Sequence, residues 1–318
     1  MPPDSHRPAW KTLLAFGVIY FVWGSTFLAI RVGVREVPPL ILAAMRFFTA
    51  GAVLYIWMRA CGERSPSARE WRSASLRGRV VFLFDYGLLF WAEQRVPSGI
   101  AAVMLATIPA FMALSEILFL RTQRLTVRLV LALLIGIGGI VVLMAHSLNL
   151  GSAPIDKVGA LALIFASISW SVASVISRKL ALPDSKVMSA GAQMLAGGIF
   201  LAFTAGALGE FHNFHPTVVS REVWLSLLYL IVAGSIIGYT AYVWLIHHES
   251  PTKVATYAYV NPIVAVLVGY FLGAEALSAR TVVGTLFVLV SVVVITTTPT
   301  KKRETALIAE TTPESAGS

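Results

Sequence analysis

The 318-residue sequence predicts an all-α integral membrane protein of ten transmembrane helices, arranged as two inverted-topology five-helix repeats. Three observations predict this. Charged residues make up 13% of the chain and hydrophobic ones 57%, with a mean hydropathy of +0.77, where soluble domains carry about 25% charged residues. Apolar runs of about 18–22 residues recur from Leu13 almost to Thr298, each long enough to cross a hydrocarbon core of about 30 Å. The second half of the chain repeats landmarks of the first.

The first span, 12–31, follows the polar head MPPDSHRPAWK. It is too long for a signal-peptide core and no small-residue cleavage site follows it, so it is expected to stay. Trp23 sits near its middle beside Gly24 and Ser25, away from the interfaces where belt tryptophans belong. Close packing would turn its ring into a central space, where it could stack on an organic solute. The second span, 39–58, carries Arg46 seven residues inside, where a charge costs at least about 2.5 kcal/mol unless paired or hydrated. Glu93 is its expected partner, and attraction of a cargo carboxylate is the alternative. The third span, 78–94, contains VVFLFDYGLLFWAEQ, in which Asp85 and Glu93 lie on nearly one face, about 12 Å apart along the axis. A buried carboxylate can exchange protons, so both are candidates for proton coupling, against simple pairing or snorkelling. Tyr86 and Trp91 add rings to the same helix.

The fourth span, 98–120, holds Pro109, which like Pro262 in the ninth removes a donor and should kink its helix at the matching place, here freeing the carbonyl of Leu105. Glu116 near its end is expected to pair with Arg121 or face water. The fifth, 127–145, closes a first repeat over 13–145. The sixth, 158–177, places Trp170 between Ser169 and Ser171, and the seventh is 186–208. The eighth, 223–246, brings Tyr239 and the GxxxG pair Gly234 and Gly238. The ninth, 251–272, contains TYAYVNPIVA, with Tyr257 and Asn261 as candidate cargo contacts and Pro262 freeing the carbonyl of Ala258, and it ends in a second GxxxG at Gly269 and Gly273. The tenth, 279–298, closes a second repeat over 158–298, and 299–318 reads as a disordered cytoplasmic tail.

The repeat rests on register. Trp23 matches Trp170, Arg31 matches Arg178, Arg46 matches Gln193 and Gly51 matches Gly198, all at 170 − 23 = 147. Tyr86, Trp91 and Pro109 match Tyr239, Trp244 and Pro262 at 262 − 109 = 153. Five crossings per repeat is an odd number, so the second repeat enters from the opposite side. Inverted repeats of this kind are a transporter signature, because alternating access opens one site to either face. Of 25 Lys and Arg residues, 18 fall in segments placed inside when the N-terminus is inside and 6 outside, which predicts cytoplasmic termini. That sorting by side argues against nucleic acid as a partner.

A lone cysteine, Cys61, permits no intrachain disulfide, and His212 with His215 lacks a third metal ligand. No HExxH, GxSxG or P-loop is present, so neither a metal nor a cofactor is expected. The expected partners are a small-molecule substrate and the lipid bilayer, with the oligomeric state open. An intramembrane enzyme acting on lipid-linked substrates would need Asp85, Glu93 and His248 to converge, and a passive channel is the other rival.

The segments FVWGSTFLAIRVGVREVPPLILAAMRFFTAG, EQRVPSGIAAVMLATIPAF and SPTKVATYAYVNPIVAVLVGYFLGAEALS together resemble the two EamA domains of the drug/metabolite transporter superfamily, particularly its bacterial inner-membrane exporters. The resemblance covers roughly residues 13–297. It implies a multi-pass exporter of amino acids, other metabolites or drugs and leaves the cargo open. One departure is visible: the family often has a Gly-Glu pair before a Leu after the fourth helix, and the second half keeps Glu275 before Leu277. The first half instead reads Thr122-Gln123-Arg124-Leu125.

Overall fold

The computed structural model describes residues 9–95, 104–144, 156–264 and 279–298. Among these residues there is no strand, and helices follow one another in the predicted order. They are α1 (Ala9–Gly33), α2 (Pro39–Ala60), α3 (68–92), α4 (Ile108–Leu120), α5 (Val127–Met144), α6 (Lys157–Ile176), α7 (Lys186–Ala207), α8 (Arg221–His248), α9 (Pro251–Val254 continuing over 257–264) and α10 (Ala279–Thr297). Five of them, α1, α2, α6 with its 3₁₀ extension, α7 and α8, have the length and composition to cross a membrane outright. Glu275, the Gly269–Gly273 pair and the tail at 299–318 lie outside the described residues.

Local chemistry sets several helix starts. Pro39 and Pro251 occupy first-turn positions, where a missing N–H costs nothing. Asp156 Oδ1 accepts from the amides of Val158 and Gly159 at 2.9 Å each, and Ser185 Oγ accepts from Met188 N at 3.3 Å. Ser67 and Glu70 form a reciprocal capping box that starts α3 ten residues before the predicted span. The connection expected there is therefore largely helical, because AREWRSASLRG carries its own start signal.

Helices of equal rank in the two repeats pack on each other. α2 lies against α7 so closely that a Cβ on Gly51 would come within 2.2 Å of the Leu195 amide nitrogen, and one on Gly198 within 2.4 Å of the Phe48 amide nitrogen. The two contacts exchange under the repeat, since 51 + 147 = 198 and 48 + 147 = 195. Only glycine fits at such a crossing, and in lipid it is van der Waals contact of this kind that holds helices together. α5 and α10 pair on the other flank, through Leu129, Leu133, Ile140, Val288 and Ile295 and a 2.6 Å bond from Ser291 Oγ to the Ala132 carbonyl. Large apolar side chains such as Leu13, Phe21, Leu161, Phe203 and Val293 remain exposed, a surface suited to hydrocarbon.

Candidate functional site: an aromatic cavity between the repeats

Trp23 and Trp170 meet at the centre, with ring centroids 5.6 Å apart and planes at 77°. These are the repeat-matched tryptophans, so their contact lies where the two halves exchange. Tyr257 stands edge-on to Trp23 at 4.8 Å, Tyr242 packs on both tryptophans at 5.1 and 4.8 Å, and Tyr86 reaches Trp170 at 5.8 Å. Tilted and edge-to-face arrangements are those the ring quadrupoles favour. GxxxG in α8 makes room: Gly238 faces the Trp23 indole nitrogen, Gly234 faces Thr26 and Arg46, and Trp23 Nε1 donates to the Gly234 carbonyl at 3.0 Å. The pair therefore serves packing within the chain.

Beside this cluster opens a small cavity lined by Trp23, Thr26, Phe27 and Ile30 of α1, Asp85, Tyr86 and Leu89 of α3, Leu105 and Ile108 beside and within α4, Trp170 of α6, and Tyr257 and Asn261 of α9. Every lining residue of α1 and α3 lies in the C-terminal half of its helix, and those contributed around α4 lie at its N-terminal end. The cavity thus extends from the centre toward one end of the bundle. The other end is sealed by bonds from Tyr20 Oη to Thr256 Oγ1 (2.7 Å) and from Tyr242 Oη to Ser174 Oγ (2.6 Å), and by the contacts of Arg77 and Glu116.

Of the residues proposed from sequence, Trp23, Asp85, Tyr86, Trp170, Tyr257 and Asn261 line this one cavity. Asp85 is 4% exposed, and its carboxylate meets no hydrogen-bond partner among the described residues. Trp170 Nε1 is likewise buried without a partner. Asn261, with its amide nitrogen turned toward the two carbonyls, donates to Tyr257 O at 3.0 Å and Tyr20 O at 3.2 Å, tying α9 to α1.

The remaining candidates lie elsewhere. Arg46 is fully buried, donates from Nε to Ser235 Oγ at 2.9 Å and lies over the rings of Phe47 and Tyr86 at 4.6 and 5.3 Å. Its expected partner Glu93 is not in contact with it; the cation whose charge reaches Glu93 is Arg31. A guanidinium can rest on ring faces and a hydroxyl where a carboxylate was expected. Tyr239 accepts from Arg77, lies under its guanidinium and donates to Gln193 Oε1 at 2.9 Å. Trp91 carries Arg95 over its ring at 4.4 Å. His248 stacks on Trp244 at 4.2 Å near the end of α8 and does not line the Asp85 cavity.

Around Pro109, a turn at Ala106 and Thr107 precedes α4 and the proline takes a first-turn position. In α9 the turn falls at Ala255 and Thr256, and the helix runs on through Pro262. The two interruptions are therefore not in matching register, since 106 + 153 is 259.

Two features escaped the sequence reading. Arg77, counted there among the cytoplasmic charges, is 2% exposed and bonds both Gln193 and Tyr239. Gln193 is the repeat match of Arg46, and Tyr239 that of Tyr86. Each half thus has a guanidinium over its matched tyrosine, supplied in the second half from α3. The other feature is backbone: α3 is π-helical over Arg79–Gly87 and α8 over Leu230–Tyr239, nearly the same stretch of each repeat. Such wide turns concentrate at functional sites, and these carry Asp85 with Tyr86 and Tyr239. Of the unanticipated lining residues, Thr26 and Leu89 sit three residues beyond Trp23 and Tyr86, where helical spacing could have found them.

A helical bundle of two matched halves, apolar outside and enclosing a polar-spotted cavity between the halves, defines a multi-pass membrane transporter. The chain belongs to the EamA-like transporter family, whose model matches residues 10–145 and 157–297. It is similar to "Uncharacterized inner membrane transporter YedA" of Escherichia coli, with 38% identity over 266 residues and 83% of each chain covered. It is also similar to "Protein PecM" of Dickeya dadantii, 25% identical over 276 residues, covering 86% of this chain and 88% of that one. A solved crystal structure superposes with a TM-score of 0.73 at 25% identity, covering 91% of this chain and 97% of the other.

Proposed function

We propose that this transporter exports small organic metabolites or drugs, amino-acid-like or amphipathic and aromatic, across the bacterial inner membrane by alternating access. Both termini are cytoplasmic in this reading, and proton exchange at Asp85 or Glu93 couples the cycle. The observation that carries it is the aromatic cavity between the repeats, which extends toward one end of the bundle and is closed at the other by bonds such as Tyr20–Thr256 and Tyr242–Ser174. With the N-terminus inside, the sealed end is cytoplasmic and the cavity lies toward the outer face, which supports an outward-facing reading. The repeat supplies the inward-facing counterpart, because the halves can exchange conformations about their shared axis. Asp85 supports coupling through its place: an ionised carboxylate is costly to bury alone, so either a proton or a cationic group must visit it.

Purified protein in proteoliposomes, offered a panel of amino acids, purine compounds and cationic drugs with and without an imposed pH gradient, tests this reading. Saturable counterflow of a panel member is expected, with uphill movement only when the gradient is present. Non-saturable flux without counterflow would mean a passive channel.

A further inference from the structure

From the cavity's own chemistry we infer that the cargo is an organic cation, a protonated or quaternary amine on an apolar or aromatic frame, with Asp85 as its counter-ion. The inference rests on reading this cavity as the cargo site and narrows the solute classes given above. Asp85 is the only charged side chain among the described residues that line the cavity. It is 4% exposed, and the single ion pair among the described residues, Arg64 with Glu70, does not involve it.

The two buried guanidinium groups lie outside the cavity lining, although Arg46 Nη1 and Arg77 Nε have no hydrogen-bond partner among the described residues. Arg46 is turned to Ser235 and the Phe47 and Tyr86 rings, and Arg77 to Gln193 and Tyr239. Neither lines the cavity, so a cargo carboxylate would enter an aromatic pocket that holds one carboxylate and no cation among the described residues. Like charges at that distance from water repel strongly. An ammonium has the opposite fate: it meets Asp85, and Trp23, Trp170, Tyr86 and Tyr257 wall the space around it. Aromatic walls with a carboxylate are the surroundings in which a desolvated cation is held. An amino acid fits poorly, since its amine is matched and its carboxylate is not.

The test holds the frame constant and varies charge. Phenethylamine, phenylalanine, phenylacetate and phenethyl alcohol are titrated at neutral pH into the purified full chain in detergent, with binding read by calorimetry. The amine is expected to bind about tenfold or more tightly than each of the other three. Asp85→Asn should remove that preference while leaving the alcohol's affinity unchanged, and Asp85→Glu should retain it. The wild-type series stands on its own should a variant misfold. Phenylalanine or phenylacetate binding as tightly as the amine would overturn the inference, as would an Asp85→Asn protein that binds the amine like wild type. Failure of all four to bind would also overturn it, and counterflow of some other solute in proteoliposomes would then leave the transport reading standing.

Discussion

Glu116 is 1% exposed and accepts from Thr122 Oγ1 at 2.8 Å, Ser250 Oγ at 3.0 Å, Thr252 N at 3.1 Å and Thr252 Oγ1 at 2.7 Å. One carboxylate thus fastens the end of α4 in the first repeat to the start of α9 in the second, at the sealed end of the cavity. The pairing with Arg121 expected from sequence gives way to hydroxyls and an amide brought in from more than 130 positions away. Removing the acceptor strands buried donors, so Glu116→Ala should lower stability by about 1–3 kcal/mol, read as a lower unfolding midpoint in detergent. An unchanged midpoint would show that water replaces the carboxylate. At this scale the sequence disclosed the rings and the cavity carboxylate, because mid-depth tryptophans and buried charge are anomalies in a membrane helix. Arg77 stayed hidden, because the count of basic residues by side cannot tell a snorkelling arginine from one folded inward onto Gln193.

The start of α3 shows what an element adds. Glu70 accepts from both Arg64 nitrogens at 2.7 and 2.6 Å and from the Ser67 amide at 2.7 Å. The Arg64 guanidinium, then the Ser67 amide, hold its carboxyl down at about 2, well below the usual carboxylate range. A group whose folded value is depressed stabilises the fold above its unfolded value and loses that contribution as pH falls through the folded one. The capping box should therefore weaken between about pH 4.5 and about 2. Thermal unfolding in detergent should show a drop across that window that is smaller in Glu70→Gln; equal drops would assign the acid sensitivity to other groups. The box is written as S-x-x-E in the sequence, but it stands outside the apolar runs that mark membrane spans. The π-helical turns of α3 and α8 had no such signature: hydrophobic runs mark where a helix is, and the number of residues per turn follows from tertiary packing.

For the whole molecule, the internal register was the most informative signal in the sequence. Repeat-matched positions meet in space: Trp23 with Trp170, and Gly51 and Gly198 each against the residue matching the other's neighbour. Departures from the match, Arg46 against Gln193 and Asp85 against Gly238, are where the halves differ chemically, and Asp85 faces the cavity. Which of the candidate rings share that cavity could not be read from one dimension, since Trp91 and Tyr239 look equal to Tyr86 until the helices are packed. The central claim is that this one cavity opens alternately to the two faces of the membrane. With Cys61→Ser removing the lone thiol, Leu89→Cys places a reporter in the cavity lining. A membrane-impermeant maleimide should label it from the outer face at rest, and from the cytoplasmic face once a cargo or proton gradient drives turnover. Labelling confined to one face under every gradient, or equal from both faces at rest, would contradict the account.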